Sequence, residues 1–95
     1  MTQAPIDSAD ERELLAMARA GDDRAFGLLI DRHRPGLGVY CHLMLGCPQQ
    51  AEVVVQETVL RAWRGLQRAD ERASARTSLY RIATNVCLDE IERRR

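Results

Sequence analysis

Two histidines, three cysteines, fourteen arginines and fourteen carboxylates are the groups with which this 95-residue chain could do chemistry. His33 and His42 stand nine residues apart, on different faces of any helix and with no Cys or carboxylate at metal-ligand spacing. His33 continues an apolar stripe, so a packed or interface histidine is expected there. Cys41, Cys47 and Cys87 are odd in number and fit no zinc pattern, which predicts reduced thiols packed as small hydrophobes, with Cys47 the most accessible. No Gly-rich phosphate loop, nucleophile elbow or HExxH is present. The sequence therefore predicts no enzyme, no metal and no cofactor. The arginines carry more information. Residues 1–60 hold five Arg against nine acids, and residues 61–95 hold nine Arg against five, so a formally neutral chain is polarised from net −4 to net +4. None of the cations is Lys, and planar guanidinium groups suit bidentate contacts with phosphates and base edges. Arg61 and Arg64 precede the segment QRADERAS, Arg68 and Arg72 lie in it, and Arg76 and Arg81 follow it, an arrangement that suits a funnel for a nucleic-acid strand. Arg93 to Arg95 count for less, because cations at a helix C-terminus are favoured without any ligand.

These groups need helices to position them. Apolar residues make up 45% and charged residues 29%, with only three Pro and six Gly, the balance of an all-α, compact domain of three to four helices. No apolar run approaches the ~18 residues of a membrane span, and no secretory signal is visible, so a cytoplasmic chain with no membrane partner is expected. Residues 1–8 read as a flexible leader and 9–95 as one helical domain, a fragment of a longer chain because no helix-ending Gly or Pro precedes Arg95. Ser8 and Glu11 have capping-box spacing before a first helix carrying Leu14, Leu15 and Ala18, which Gly21 stops. Asp22 or Asp23 caps a second helix whose apolar positions Phe26, Leu29, Ile30, Leu37, Tyr40, Cys41 and Met44 keep helical spacing across Arg34-Pro35-Gly36. Pro35 predicts a bend or two abutting helices. After Gly46-Cys47, Pro48 opens a helix over about 48–66, with Val55, Val59, Ala62, Trp63 and Leu66 as its buried stripe. Trp63 should be largely buried. The opposite side carries Glu52, Gln56, Glu57, Arg61 and Arg64, interrupted by Val53 and Leu60. Two aliphatics on a polar face point to a partner. Gln67 to Ser74 reads as a loop, and a last helix from about Ala75 places Leu79, Ile82, Ala83, Val86 and Cys87 on one face. Another face carries Arg81, Asn85 and Asp89 at i, i+4, i+8.

Three blocks, GDDRAFGLLIDRHRPGL, VVVQETVLRAWRGL and SLYRIATNVCLDEIERRR, give the stretch from Asp22 to Arg95 a family likeness. It resembles region 2 of bacterial RNA polymerase sigma factors, in the extracytoplasmic-function branch. The resemblance implies a promoter-recognition module that docks on the clamp helices of the polymerase β′ subunit and binds the non-template strand of the minus-ten promoter element in transcription initiation. It implies polymerase contacts at Gln56 and Glu57, with Leu60 as an apolar neighbour on the helix-face reading. It implies DNA contacts at Arg76, Arg81, Asn85 and Asp89, and an anti-sigma factor as a regulatory partner. The chain departs from the family pattern at Val53, where an acid is usual, and at Ala75 and Ser78, where aromatics are frequent. The residues alone also allow a helical interaction or dimerisation domain that uses the Val53/Leu60 face and reads no DNA.

Overall fold

The computed structural model describes residues 10–66 and 73–95. Four helices follow in order, α1 (Glu11–Arg19), α2 (Asp23–Leu45), α3 (Pro48–Gly65) and α4 (Ala75–Arg93), and there is no strand among the described residues. The all-α expectation of three to four helices holds. Residues 1–9, which include the expected leader and Ser8, and residues 67–72 of the expected loop lie outside the described residues.

Short polar signals set the helix boundaries. Asp10 caps α1 by accepting the Arg12 amide at 3.2 Å. Gly21, at φ 101°, makes the left-handed turn that ends α1, and the Asp22 carboxylate accepts the Ala25 amide at 3.1 Å to start α2. Gly46, at φ 73°, closes α2, and Pro48 occupies the first turn of α3. Ser74 begins α4 by accepting the Thr77 amide. Pro35 leaves α2 a single helix of 23 residues, which excludes two abutting helices. Its missing N–H removes one internal hydrogen bond, but Pro35 is exposed, so water can reach the orphaned carbonyl.

The other three helices pack around α2. Leu37, Cys41, Val54, Val55, Leu79, Ala83 and Cys87 meet in the main core, and Leu14, Ala25, Leu29 and Ala75 form a smaller cluster under α1. Leu14, Ile30 and Leu37 are at most 2% exposed, and burial of such side chains contributes ~1.5–3 kcal/mol each. Polar contacts fix how the helices sit. His33 on α2 pairs with Glu11 on α1, the packed interface role expected of it. Tyr40 Oη lies 2.6 Å from Thr84 Oγ1, tying α2 to α4, and Arg94 donates to the Leu45 carbonyl at 3.2 Å. Gly36 makes room for α4, since a Cβ there would lie 2.5 Å from the Tyr80 hydroxyl.

The buried line of α3 differs from the expected one. Ala51, Val54, Val55 and Thr58 are buried, Val59 and Ala62 are half-buried, and Trp63 is 39% exposed. Thr58 can sit fully inside because its hydroxyl donates to the Val54 carbonyl at 2.8 Å. That burial turns the inward face toward Thr58 and leaves Trp63 at its margin. There the indole meets Phe26 with ring centroids 4.9 Å apart, and its other side faces solvent.

Candidate nucleic-acid interface

Pro48 at the first turn and a core line through Val54, Val55 and Thr58 rotate α3 so that Val53, Gln56, Glu57 and Leu60 point away from the core. Gln56 and Leu60 are exposed, Glu57 is half-buried, and Val53 reaches 66% exposure. Gln56 borders a groove of about 260 Å³ between α2 and α3, where Arg34, His42 and Glu52 also lie. Leu60 borders a shallow depression with Phe26, Val59 and Trp63. Together they give α3 a polar edge followed by an apolar one. Carboxylate and amide groups can accept or donate hydrogen bonds there, while Leu60 and Trp63 offer apolar area to a partner.

On α4, Leu79, Ala83, Val86 and Cys87 turn inward, which leaves Arg81, Asn85 and Asp89 exposed. Arg81 lies at the edge of a cavity of about 380 Å³ lined mainly by apolar side chains from all four helices, among them Leu15, Phe26, Ala62 and Leu79. Asn85 supplies both a donor pair and an acceptor, the inventory needed to read a base edge. Asp89 is ion-paired. Its Oδ2 lies 3.5 Å from Arg61 Nη1, and Arg61 Nε is 3.3 Å from Glu57 Oε1. One guanidinium from α3 thus spans both candidate residue sets, binding Glu57 from one and Asp89 from the other.

Arg76 diverges from this arrangement. Its guanidinium carbon lies 5.1 Å above the Tyr80 ring, and Tyr80 meets Tyr40 of α2 edge to face at 5.2 Å. Asp89 faces α3 and Arg76 leans on rings shared with α2. The four residues of the expected DNA set therefore do not form one cluster. Arg76 stays exposed and its charge remains available to a phosphate.

The structure adds Arg61, Tyr80 and Trp63 to the residues at these surfaces. Glu57 and Arg61 stand at i, i+4, a signal readable in the sequence, but the reach from Arg61 to Asp89 crosses between helices. The exposed aliphatics at Val53 and Leu60 are where the helix pattern put them.

The thiols belong to the core. Cys41 and Cys87 are wholly buried, and burial, with Cys87 alongside, pushes the Cys41 thiol up from its ordinary 9.0 to about 12. Burial also raises Cys87. Cys47 is partly exposed, with its Sγ 3.3 Å from Gln49 Oε1. Among the described residues no group of three or more His, Cys, Asp or Glu could hold a metal ion, and no helix is long and apolar enough to cross a membrane.

Comparison with known proteins agrees with this architecture. Residues 29–95 match the Sigma-70 region 2 family. The ECF RNA polymerase sigma factor SigG of Mycobacterium tuberculosis is 43% identical over 77 residues, which are 81% of this chain and 20% of SigG. The chain thus spans about a fifth of that relative's length. An NMR structure of an engineered region 2 of sigmaE in complex with GTAAAA superposes with a TM-score of 0.81 at 26% identity, covering 96% of this chain and 90% of that one. A structure of CnrH in complex with the cytosolic domain of CnrY gives 0.77 at 34% identity, covering 83% of this chain and 51% of CnrH. A four-helix body with this match over most of its length places the chain in the sigma-70 region 2 family, in its extracytoplasmic-function branch.

Proposed function

We propose that this chain is a promoter-recognition module that docks on the β′ clamp helices of RNA polymerase through α3 and binds the non-template strand of the minus-ten element through α4. The observation that carries the reading is the outer face of α4. Arg81 and Asn85 are exposed there one turn apart, on a fold that agrees with a region 2 domain solved in complex with GTAAAA. In this reading Arg76 and Arg81 bind phosphates, which supply affinity without sequence information, and the Asn85 amide discriminates between bases. Asp89 accepts from a base amino group or orients its neighbours. Gln56 and Glu57 supply polar anchors for the polymerase, and Leu60 supplies apolar contact beside them. Such a protein works in the cytoplasm, with polymerase and promoter as partners. The likeness to CnrH, solved with the cytosolic domain of CnrY, supports an anti-sigma factor as a further partner.

The exposed Val53 and Leu60 also favour a second reading, a helical interaction domain that self-associates through this face. Retention on an immobilised β′ clamp-helix fragment separates the two. A chain that is retained, and lost when Gln56→Ala and Glu57→Ala are combined, fits the promoter module. A chain that only self-associates and ignores the fragment refutes it.

A further inference from the structure

We propose that Arg61 is a positioning residue that couples the polymerase side of α3 to the DNA side of α4; this rests on the function proposed above. Arg61 lies between two carboxylates on two helices, with Nε 3.3 Å from Glu57 Oε1 and Nη1 3.5 Å from Asp89 Oδ2. Only a guanidinium can do this with separate N–H groups in one rigid plane, since an ammonium is a single point charge.

Charge explains why the link matters. Two carboxylates share one cation, so the triad carries a net −1 while Arg61 divides its donors between them. Asp89 is the acidic member of the DNA stripe, and a carboxylate without a cation repels the phosphates of an approaching strand. A donor from the clamp helices that engages Glu57 takes that carboxylate out of the competition. Arg61 then serves Asp89 alone, cancels its charge and holds its oxygens in one orientation. Polymerase docking thereby strengthens strand binding, and strand binding strengthens docking by the same factor. The side chains are 42%, 40% and 66% exposed, so the coupling is that of a solvent-screened pair, about two- to fivefold, and it shrinks as salt rises.

The test measures affinity for a labelled single-stranded oligonucleotide, chosen by selecting a random pool on the full chain, without and with saturating β′ clamp-helix fragment. The fragment should tighten strand binding in the wild type, and Arg61→Ala should lower that ratio by about two- to fivefold. Arg61→Lys should restore it only in part. Asp89→Asn should lower the ratio as Arg61→Ala does, and Arg61→Ala should change nothing further in that background. Arg12→Ala, which removes one cation from α1, should leave the ratio as it is. An unchanged ratio in Arg61→Ala, or an equal fall in Arg12→Ala, overturns the coupling and leaves the function reading intact. A wild-type chain that binds neither fragment nor any strand overturns the function reading and the coupling with it.

Discussion

Replacing Gly36 by Ala sets two physical effects of similar size against each other. Helix propensity alone favours Ala by ~1 kcal/mol in a helix interior, and it favours it equally at Gly27, Gly36 and Gly38 of α2. The surroundings differ. A Cβ at Gly27 or Gly38 meets nothing within 4 Å, whereas at Gly36 it would lie 2.5 Å from the Tyr80 hydroxyl and 3.8 Å from Tyr80 Cζ. The first of those distances is far inside contact, and the hydroxyl sits on a rigid ring whose face meets Arg76 and which meets Tyr40 in a T-shaped contact. Overpacking of this kind costs ~1–3 kcal/mol. Against a gain of ~1, Gly36→Ala should range from neutral to ~2 kcal/mol destabilised, while Gly27→Ala should gain up to ~1. In a domain of this size 1 kcal/mol moves Tm by roughly 4–8 °C, so thermal unfolding followed by circular dichroism resolves the pair. Tyr80→Phe removes the clashing oxygen and keeps Cζ at ordinary contact distance. In that background Gly36→Ala should become as favourable as Gly27→Ala. A Gly36→Ala protein as stable as Gly27→Ala with Tyr80 intact would refute the argument, as would a cost that survives Tyr80→Phe.

Cys47 should react with a thiol reagent in the native protein, and Cys41 and Cys87 only on unfolding; native labelling of Cys87 ahead of Cys47 would contradict the burial. Because the Cys41 thiol is pushed from 9.0 to about 12, the unfolded chain loses its proton first as pH rises. Stability present below pH 9.0 should therefore fall from there toward pH about 12, by at most ~1.4 kcal/mol per pH unit from this thiol, and Cys41→Ala should flatten the slope in urea titrations. Trp63, packed on Phe26 and open to solvent, should emit between the buried and free extremes, and Trp63→Ala should cost ~1–3 kcal/mol. In competition between matched and mismatched strands on reconstituted holoenzyme, Arg76→Ala should weaken all strands alike and flatten the salt slope by about one phosphate, while Asn85→Ala should erode discrimination by ~1–3 kcal/mol. Equal losses for both on every strand would make the α4 stripe a solvated face.

Local rules carry most of the fold in this chain. Gly21, Asp22, Gly46 and Pro48 act within a turn of where they stand, so their effects are legible residue by residue. The inward face of α3 was not, and Thr58 is the reason. Counted as polar it shifts the apparent stripe toward Val59 and Trp63, yet a hydroxyl that bonds its own helix carbonyl can be buried at little cost. Asp10 as the α1 cap is a local signal of the same kind as Asp22. For the candidate site, the i, i+4, i+8 rhythm made the exposed face of Arg81, Asn85 and Asp89 visible. The Arg61–Asp89 pair and the Arg76–Tyr80–Tyr40 stack were hidden, because both depend on how α4 lies against its neighbours and no spacing along one helix encodes that.

The missing rung at Pro35 divides α2 in a way its unbroken outline conceals. Residues before it meet α1, through the His33–Glu11 pair and the packing of Ala25 and Leu29 against Leu14, while Phe26 also reaches Trp63 of α3. Residues after it answer to α4, through Tyr40 with Thr84 and Leu45 with Arg94. Cooperative units of opening follow shared contacts more than secondary-structure boundaries. Hydrogen exchange along α2 is therefore expected to change character at Pro35, with amides before it and after it sheltered by different neighbours.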